Sequence, residues 1–82
     1  MDINTAEMID EKRRFVRAIE TMLAADQKNN QVDCLHYGIA FHDEVSYDEY
    51  IEIIYSNGYK RRILATANSN GANLQAIIKE VY

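Results

Sequence analysis

The dipeptide Asn57-Gly58 restricts the fold of this chain more than any other feature, because it lies between two runs rich in β-branched and aromatic residues. Asn-Gly in that setting is a strong signal for a tight turn between antiparallel strands. We therefore predict a hairpin in which a strand over 47–55 pairs with a strand over about 59–66.

The turn type decides which residues of this hairpin face each other. A two-residue type I′ turn would set Ile53 opposite Arg62, whereas a three-residue turn with a glycine bulge would set Ile51 opposite Ile63 and Glu52 opposite Arg62. We favour the bulged form, because it pairs apolar residues on one face and opposite charges on the other.

Apolar residues at helical spacing precede the hairpin and predict one long helix, from about residue 4 to Lys28. Asn4 as N-cap would place Glu7 in the position of a capping box, with Ile3 and Met8 at the spacing of a hydrophobic staple. Asn29-Asn30 is expected to close the helix in a left-handed conformation.

Lys12 is the one charged residue inside the apolar arc of this helix. It has two interpretations. Its methylenes can lie along the edge of the core while its amine reaches water, which is the commoner behaviour of lysine and the one we favour. Alternatively, it forms an ion pair with an acid of the strand region.

The segment from Val32 to His42 alternates between apolar and smaller or polar residues, which predicts a further strand. Its expected core face consists of Leu35, Tyr37, Ile39 and Phe41. After the hairpin, Ser69 or Asn70 is a candidate N-cap for a short helix that reaches the C-terminus. The apolar stripe of that helix is Leu74, Ile77, Ile78 and Val81.

These elements predict one α+β domain over residues 1–82, in the order α-β-β-β-α. The strands form an antiparallel meander, and both helices pack on its more apolar face. The other face would be open and would carry apolar and charged residues together. Such a mixture is typical of a contact surface.

The net charge of −4 argues against a nucleic-acid partner, because phosphate binding needs clustered positive charge. Residues 31–58 contain six acids and no Lys or Arg. The element order resembles that of double-stranded RNA-binding domains, which carry a basic cluster at the start of the last helix. Here 68–73 reads Asn-Ser-Asn-Gly-Ala-Asn, and only Lys79 follows further on, so we expect no nucleic-acid binding.

The polar start of the chain has no apolar run suited to a signal peptide or membrane span, and the single cysteine, Cys34, cannot form an internal disulfide. We therefore expect a cytoplasmic protein, bacterial or phage-like in its compactness, without a membrane partner.

Catalytic and metal motifs are missing from the sequence. Cys34 and His36 share one strand face, but His42 would be about 20 Å from His36 along the same strand, too far for one metal ion. The members of the acid pairs 43–44 and 48–49 are adjacent in sequence, so they point to different sides and are usually solvated, and no apolar pocket is evident that would raise a pKa. We expect no enzyme activity, metal or cofactor.

Two function hypotheses follow, and a third, a small-ligand or metal-dependent activity, has the least support. The first is a protein that binds another protein, or a second copy of itself in a homodimer, through the open sheet face or the acidic region between the first two strands. Its predicted partner-binding residues are Tyr47, Tyr50, Glu52, Ile54 and Arg62.

The second hypothesis is an inhibitor that mimics nucleic acid and occupies the binding groove of a partner with its carboxylates. Its predicted acidic patch consists of Asp33, Asp43, Glu44, Asp48 and Glu49, with Glu52 beside it.

Overall fold

A computed structural model of the chain describes residues 2–28 and 31–82. The three strands form one antiparallel sheet in the order β1-β2-β3. The α+β class and the meander with the second strand in the centre are thereby confirmed. The elements are α1 (Ile3–Ala25), β1 (Val32–Phe41), β2 (Tyr47–Tyr55), β3 (Lys60–Leu64) and α2 (Asn70–Val81).

The hairpin of β2 and β3 adopts the bulged register. Ile51 faces Ile63 and Glu52 faces Arg62. Gly58 has a φ of +89°, a conformation that is open to glycine because it has no Cβ atom. The prediction from charge and apolar pairing is confirmed.

Helix α1 begins earlier than the sequence analysis predicts. Asp2 is the N-cap, in an extended conformation, and its Oδ1 accepts the N–H of Thr5 at 2.7 Å. The capping box and staple built on Asn4 are therefore wrong. Asp2 caps a helix as well as Asn does and adds a negative charge at the positive end of the helix dipole, which favours the earlier start.

The C-terminal end of α1 also differs from the prediction. The helix ends at Ala25, and the N–H of its C-cap Asp26 donates to the carbonyl of Leu23 at 3.2 Å. The dipeptide 29–30, which we predicted would close the helix, lies outside the described residues.

One apolar cluster fills the space between the sheet and the two helices, so both helices lie on one face. Phe41 was predicted to join it, but this residue is 56% exposed because it lies at the last position of β1, beyond the cluster. Among the helix α2 residues of the predicted stripe, Ile77 is fully buried. The cluster comprises Ile9, Val16, Ile19, Leu23, Leu35, Tyr37, Ile51, Ile53, Ala65 and Ile77.

The two edges of the sheet differ in how they are protected. At the β1 edge, the carboxylate of Glu20 accepts the N–H of Leu35 at 2.7 Å, so a helix side chain takes the place of a neighbouring strand. At the β3 edge, the exposed residues 60–62 are all basic. Charged side chains on an edge oppose pairing with a further strand.

No helix within residues 2–28 and 31–82 combines the length and apolar character needed to cross a membrane.

Candidate functional site

The open face of the sheet is the surface that points away from α1 and α2. Side chains alternate along a strand, so the residues on either side of a core residue point to the open face. Leu64 is the most prominent of its apolar members, at 69% exposed. The open face consists of Cys34, His36, Gly38, Ala40, Asp48, Tyr50, Glu52, Ile54, Lys60, Arg62 and Leu64.

The Tyr50 ring extends over β1, where its partner has no side chain. Gly38 is the direct cross-strand partner of Tyr50. A Cβ atom at Gly38 would lie 2.5 Å from both Cζ and Oη of the Tyr50 ring. The glycine therefore makes a shallow recess, and the phenol ring fills it.

Arg62 reaches over Tyr50 from the neighbouring strand β3. Its Cζ atom lies 4.0 Å from the centroid of the Tyr50 ring, which is a cation–π contact. Nη2 of Arg62 also lies 3.4 Å from Oε2 of Glu52, and the ring of His36 is 6.2 Å from that of Tyr50. We call these four residues the Tyr50 cluster.

Four of the five predicted partner-binding residues lie on the open face, while one does not. Tyr50, Glu52 and Arg62 belong to the Tyr50 cluster, and Ile54 follows along β2. Tyr47 lies on the opposite face, packed against the apolar core, with its ring 5.9 Å from that of Phe41.

Gly38 and His36 belong to the same arrangement, although neither is among the residues predicted for the site. A usable signal was present for Gly38. Once the register of β1 on β2 is fixed, a glycine directly opposite a tyrosine indicates a ring that lies across the strand.

The predicted acidic patch is divided between distant parts of the fold. Asp33 lies near the start of β1, about 30 Å along the strand from the turn that follows it. Asp43 stands in that turn, where its Oδ1 accepts the N–H groups of Val45 and Ser46, each at 2.8 Å. These hydrogen bonds lower the pKa of Asp43. Glu44 is exposed beside it.

Asp48 follows at the start of β2, on the open face. Its Oδ2 lies 2.6 Å from Nε2 of His42, and its Oδ1 accepts the hydroxyl of Thr66 at 3.2 Å. This carboxylate is thus engaged with side chains of its own chain.

Glu49 does not belong to the acidic patch, because it is only 3% exposed. Its Oε1 accepts a hydrogen bond from Nζ of Lys12 at 2.6 Å and another from the hydroxyl of Tyr37 at 2.5 Å. Its Oε2 accepts the N–H of Ala67 at 2.8 Å. One carboxylate therefore joins α1, β1, β2 and the segment that leads into α2.

The interpretation of Lys12 as a side chain that reaches water is therefore wrong, and the ion pair is the arrangement found. Lys12 is 8% exposed. The sequence holds the reason: Glu49 alternates with Ile51 and Ile53, so it shares their core face and lies where an inward-facing lysine needs a partner.

Burial by itself would raise the pKa of Glu49. The hydrogen bonds from Lys12, Tyr37 and Ala67, together with the charge of Lys12, outweigh burial and leave the pKa below its usual value. Burial and the hydrogen bond to Glu49 raise the pKa of Tyr37. The network therefore holds a carboxylate, an ammonium and a neutral phenol.

A shallow cleft of about 530 Å³ lies over this network, with Lys12 and Glu49 among its lining residues. Because the two opposite charges already pair with each other, the cleft offers little net charge to a ligand. Ala67, on its wall, has a φ of +63°, which is uncommon for a residue with a side chain. Glu49 accepts its hydrogen bond from the N–H of this strained residue, so the network fixes the loop before α2.

The arrangement of Cys34 and His36 gives no support to catalysis. Burial and the nearby acids, Asp33 first among them, raise the pKa of the Cys34 thiol, which disfavours the reactive thiolate. Across residues 2–28 and 31–82, no three His, Cys, Asp or Glu side chains converge in a way that suits a metal ion.

Comparison of the chain with protein-family models, with curated proteins and with solved structures finds no match.

Proposed function

We propose that this protein is a non-enzymatic binding domain that recognises another protein through the open face of its sheet. The observation that carries the proposal is the Tyr50 ring, which lies on Gly38 with the guanidinium of Arg62 4.0 Å from its centroid. Tyr and Arg are the side chains that most often dominate binding energy at protein interfaces.

The side chains of the Tyr50 cluster hold one another in place, which also supports this function. A side chain that is already held in one position loses little conformational entropy when a partner binds. Tyr50 is fixed by its fit against Gly38, and Arg62 is fixed by its contacts with Tyr50 and Glu52. The cluster therefore presents an aromatic surface and a positive charge at low entropic cost.

Apolar side chains on either side of the cluster add area to the surface. Leu64, on β3, is 69% exposed and pairs across the strands with Tyr50. Ile54, on β2, is half-buried. Interface cores are usually rich in aromatic, apolar and Arg side chains, and a polar rim surrounds them.

Site-specific photo-crosslinking in the cell of origin tests the proposal. A photoreactive amino acid replaces Leu64 on the open face, or Met22, which is 48% exposed on α1, as the matched control. We expect a discrete protein adduct from position 64 and none from position 22.

The variants Tyr50→Ala and Arg62→Ala, each combined with the probe at position 64, should remove that adduct, while Arg14→Ala on the exposed side of α1 should retain it. Thermal melts of the purified variants establish that each is folded. Equal adducts from positions 64 and 22, or an adduct that persists without Tyr50 and Arg62, would contradict the proposed function.

A further inference from the structure

We propose that the partner of the open face is a second copy of this chain, in a two-fold dimer in which Glu52 of each copy meets Arg62 of the other. This inference rests on the proposed function and specifies its partner. Charge is distributed differently on the open face and on the rest of the molecule, and this difference favours a second copy as the partner.

The open face is electrically balanced, whereas the chain as a whole is acidic. The net charge of the protein is −4. The sheet register places two acids and two bases on the open face, so its net charge is zero with neutral histidines: Asp48, Glu52, Lys60 and Arg62. The rest of the molecule therefore carries the whole net charge of −4, and two copies that meet through the balanced face bring no net like charge into contact.

The charges at the centre of the face are also arranged so that they complement themselves. Glu52 and Arg62 are direct cross-strand partners on β2 and β3. Consider a two-fold axis that lies between the two stacked faces, parallel to the strands and midway between β2 and β3. This axis places position 52 of one copy over position 62 of the other. When two such faces stack, each carboxylate therefore lies over the guanidinium of the other copy.

The same axis produces matching rows on either side of this central pair. Tyr50 and Leu64 are cross-strand partners, so the Tyr50 side chain of one copy, with the Arg62 guanidinium on its ring, would lie opposite Leu64 of the other. Ile54 and Lys60 are the next such pair, and the methylenes of the lysine can cover the isoleucine. Aligned sheets pack about 10 Å apart in this manner.

The expected dimer is weak. β2 and β3 together present a strip roughly 10 Å by 20 Å from their spacing and rise. Stable interfaces bury about 800 Å² on each partner, so this one belongs with the small, transient contacts. We expect a dissociation constant of about 0.1–1 mM.

Sedimentation velocity of the purified protein over a range of concentrations is the first test. The weight-average mass should rise towards that of two chains as the concentration approaches about 1 mM. A strict monomer throughout that range would overturn the inference. The proposed function would then be decided separately by the mass of the adduct at position 64, since an adduct with a different protein supports it.

Charge reversal tests the geometry of the pair. Glu52→Arg and Arg62→Glu should each weaken self-association about tenfold or more, because each places two like-charged contacts in its own homodimer. An equimolar mixture of the two variants should associate within about threefold of the natural protein. In the mixed dimer both contacts between chains are again opposite in charge, while the pair inside each chain is still repulsive.

The mixture therefore distinguishes the loss of a contact between chains from the loss of stability of each chain. Leu64→Arg, at an exposed position with no charge of its own, should also weaken association, and Arg14→Glu on α1 should leave it unchanged. If the natural protein associates but the mixture of charge variants does not, the copies meet through a different geometry and the inference is wrong.

Discussion

The Nζ atom of Lys12 and the Oε1 atom of Glu49 lie 2.6 Å apart inside the fold, although the two residues are 37 positions apart in the chain. Their side chains are 10% and 4% exposed. This ion pair connects the long helix to the central strand. Since each charge needs the other in this setting, the pair can be tested by removing one partner.

Lys12→Met should lower the free energy of unfolding by about 3–5 kcal/mol, because it leaves the Glu49 carboxylate buried without its cation. Urea denaturation measures the loss. The control is Arg14→Met, which breaks the exposed ion pair of Arg14 with Asp10 on the same helix, at 3.1 Å. That change should cost less than about 1 kcal/mol. Equal losses in the two variants would show that burial does not govern the Lys12 pair.

Acid should weaken the fold through Glu49. The pKa of this carboxyl is below its usual value of 4.5 in the folded chain. The ionised form is therefore favoured by folding, and its contribution is complete above pH 4.5 and is lost as the pH falls through the lower, folded pKa. Urea titrations between about pH 6 and pH 3 should show a steeper loss of stability in the natural protein than in Glu49→Gln.

A parallel titration of Asp43→Asn tests whether removal of an exposed carboxyl with a lowered pKa gives the same difference. The pKa of Asp43 is also lowered, by the N–H groups of Val45 and Ser46, in an exposed turn. Asp43→Asn should keep most of the acid sensitivity. Identical pH profiles for Glu49→Gln and the natural protein would contradict the role assigned to Glu49.

Ala67→Gly should stabilise the protein by about 0.5–1 kcal/mol, because the left-handed conformation at a φ of +63° costs glycine nothing sterically. Thermal and urea unfolding measure the gain. The same substitution at Ala76, within α2, should lower stability by about 1 kcal/mol through loss of helix propensity. Opposite signs at the two positions are the expected result, and a loss at both would count against strain at Ala67.

Gly38→Ala should destabilise the sheet by about 1–3 kcal/mol, because the new Cβ atom would lie 2.5 Å from the Tyr50 ring and would displace it. In a Tyr50→Ala background the same change should be neutral or stabilising, since the ring no longer fills the recess. Urea denaturation of the two single variants and the double variant gives the coupling. Additive effects would show that the glycine does not position the ring.

Much of the fold follows from local sequence, as the β2–β3 hairpin shows. Its register was predictable because Asn57-Gly58 fixes the turn and the cross-strand pairs fix the alignment. The helix start was predicted at Asn4 and found at Asp2, since two adequate N-caps stand two residues apart and propensity does not separate them.

The site was predictable only in part, because its order depends on contacts between distant segments. Alternation along β2 and β3 placed Tyr50 and Arg62 on one face, but only the pairing with β1 brings Gly38 beneath the ring. Lys12 was visible as a charged residue inside an apolar arc, whereas Glu49 was predicted as a member of the acidic patch. Pairing them required the packing of α1 over the sheet, which residue spacing does not give.

The Glu20 carboxylate at the β1 edge has a consequence for aggregation. A sheet grows into a fibril by adding strands at its edges. One edge here is occupied by a helix side chain and the other carries three successive basic residues, so addition of strands is opposed on both sides. Stacking through the open face ends at two molecules, and we therefore expect a concentrated solution of this protein to resist ordered polymerisation.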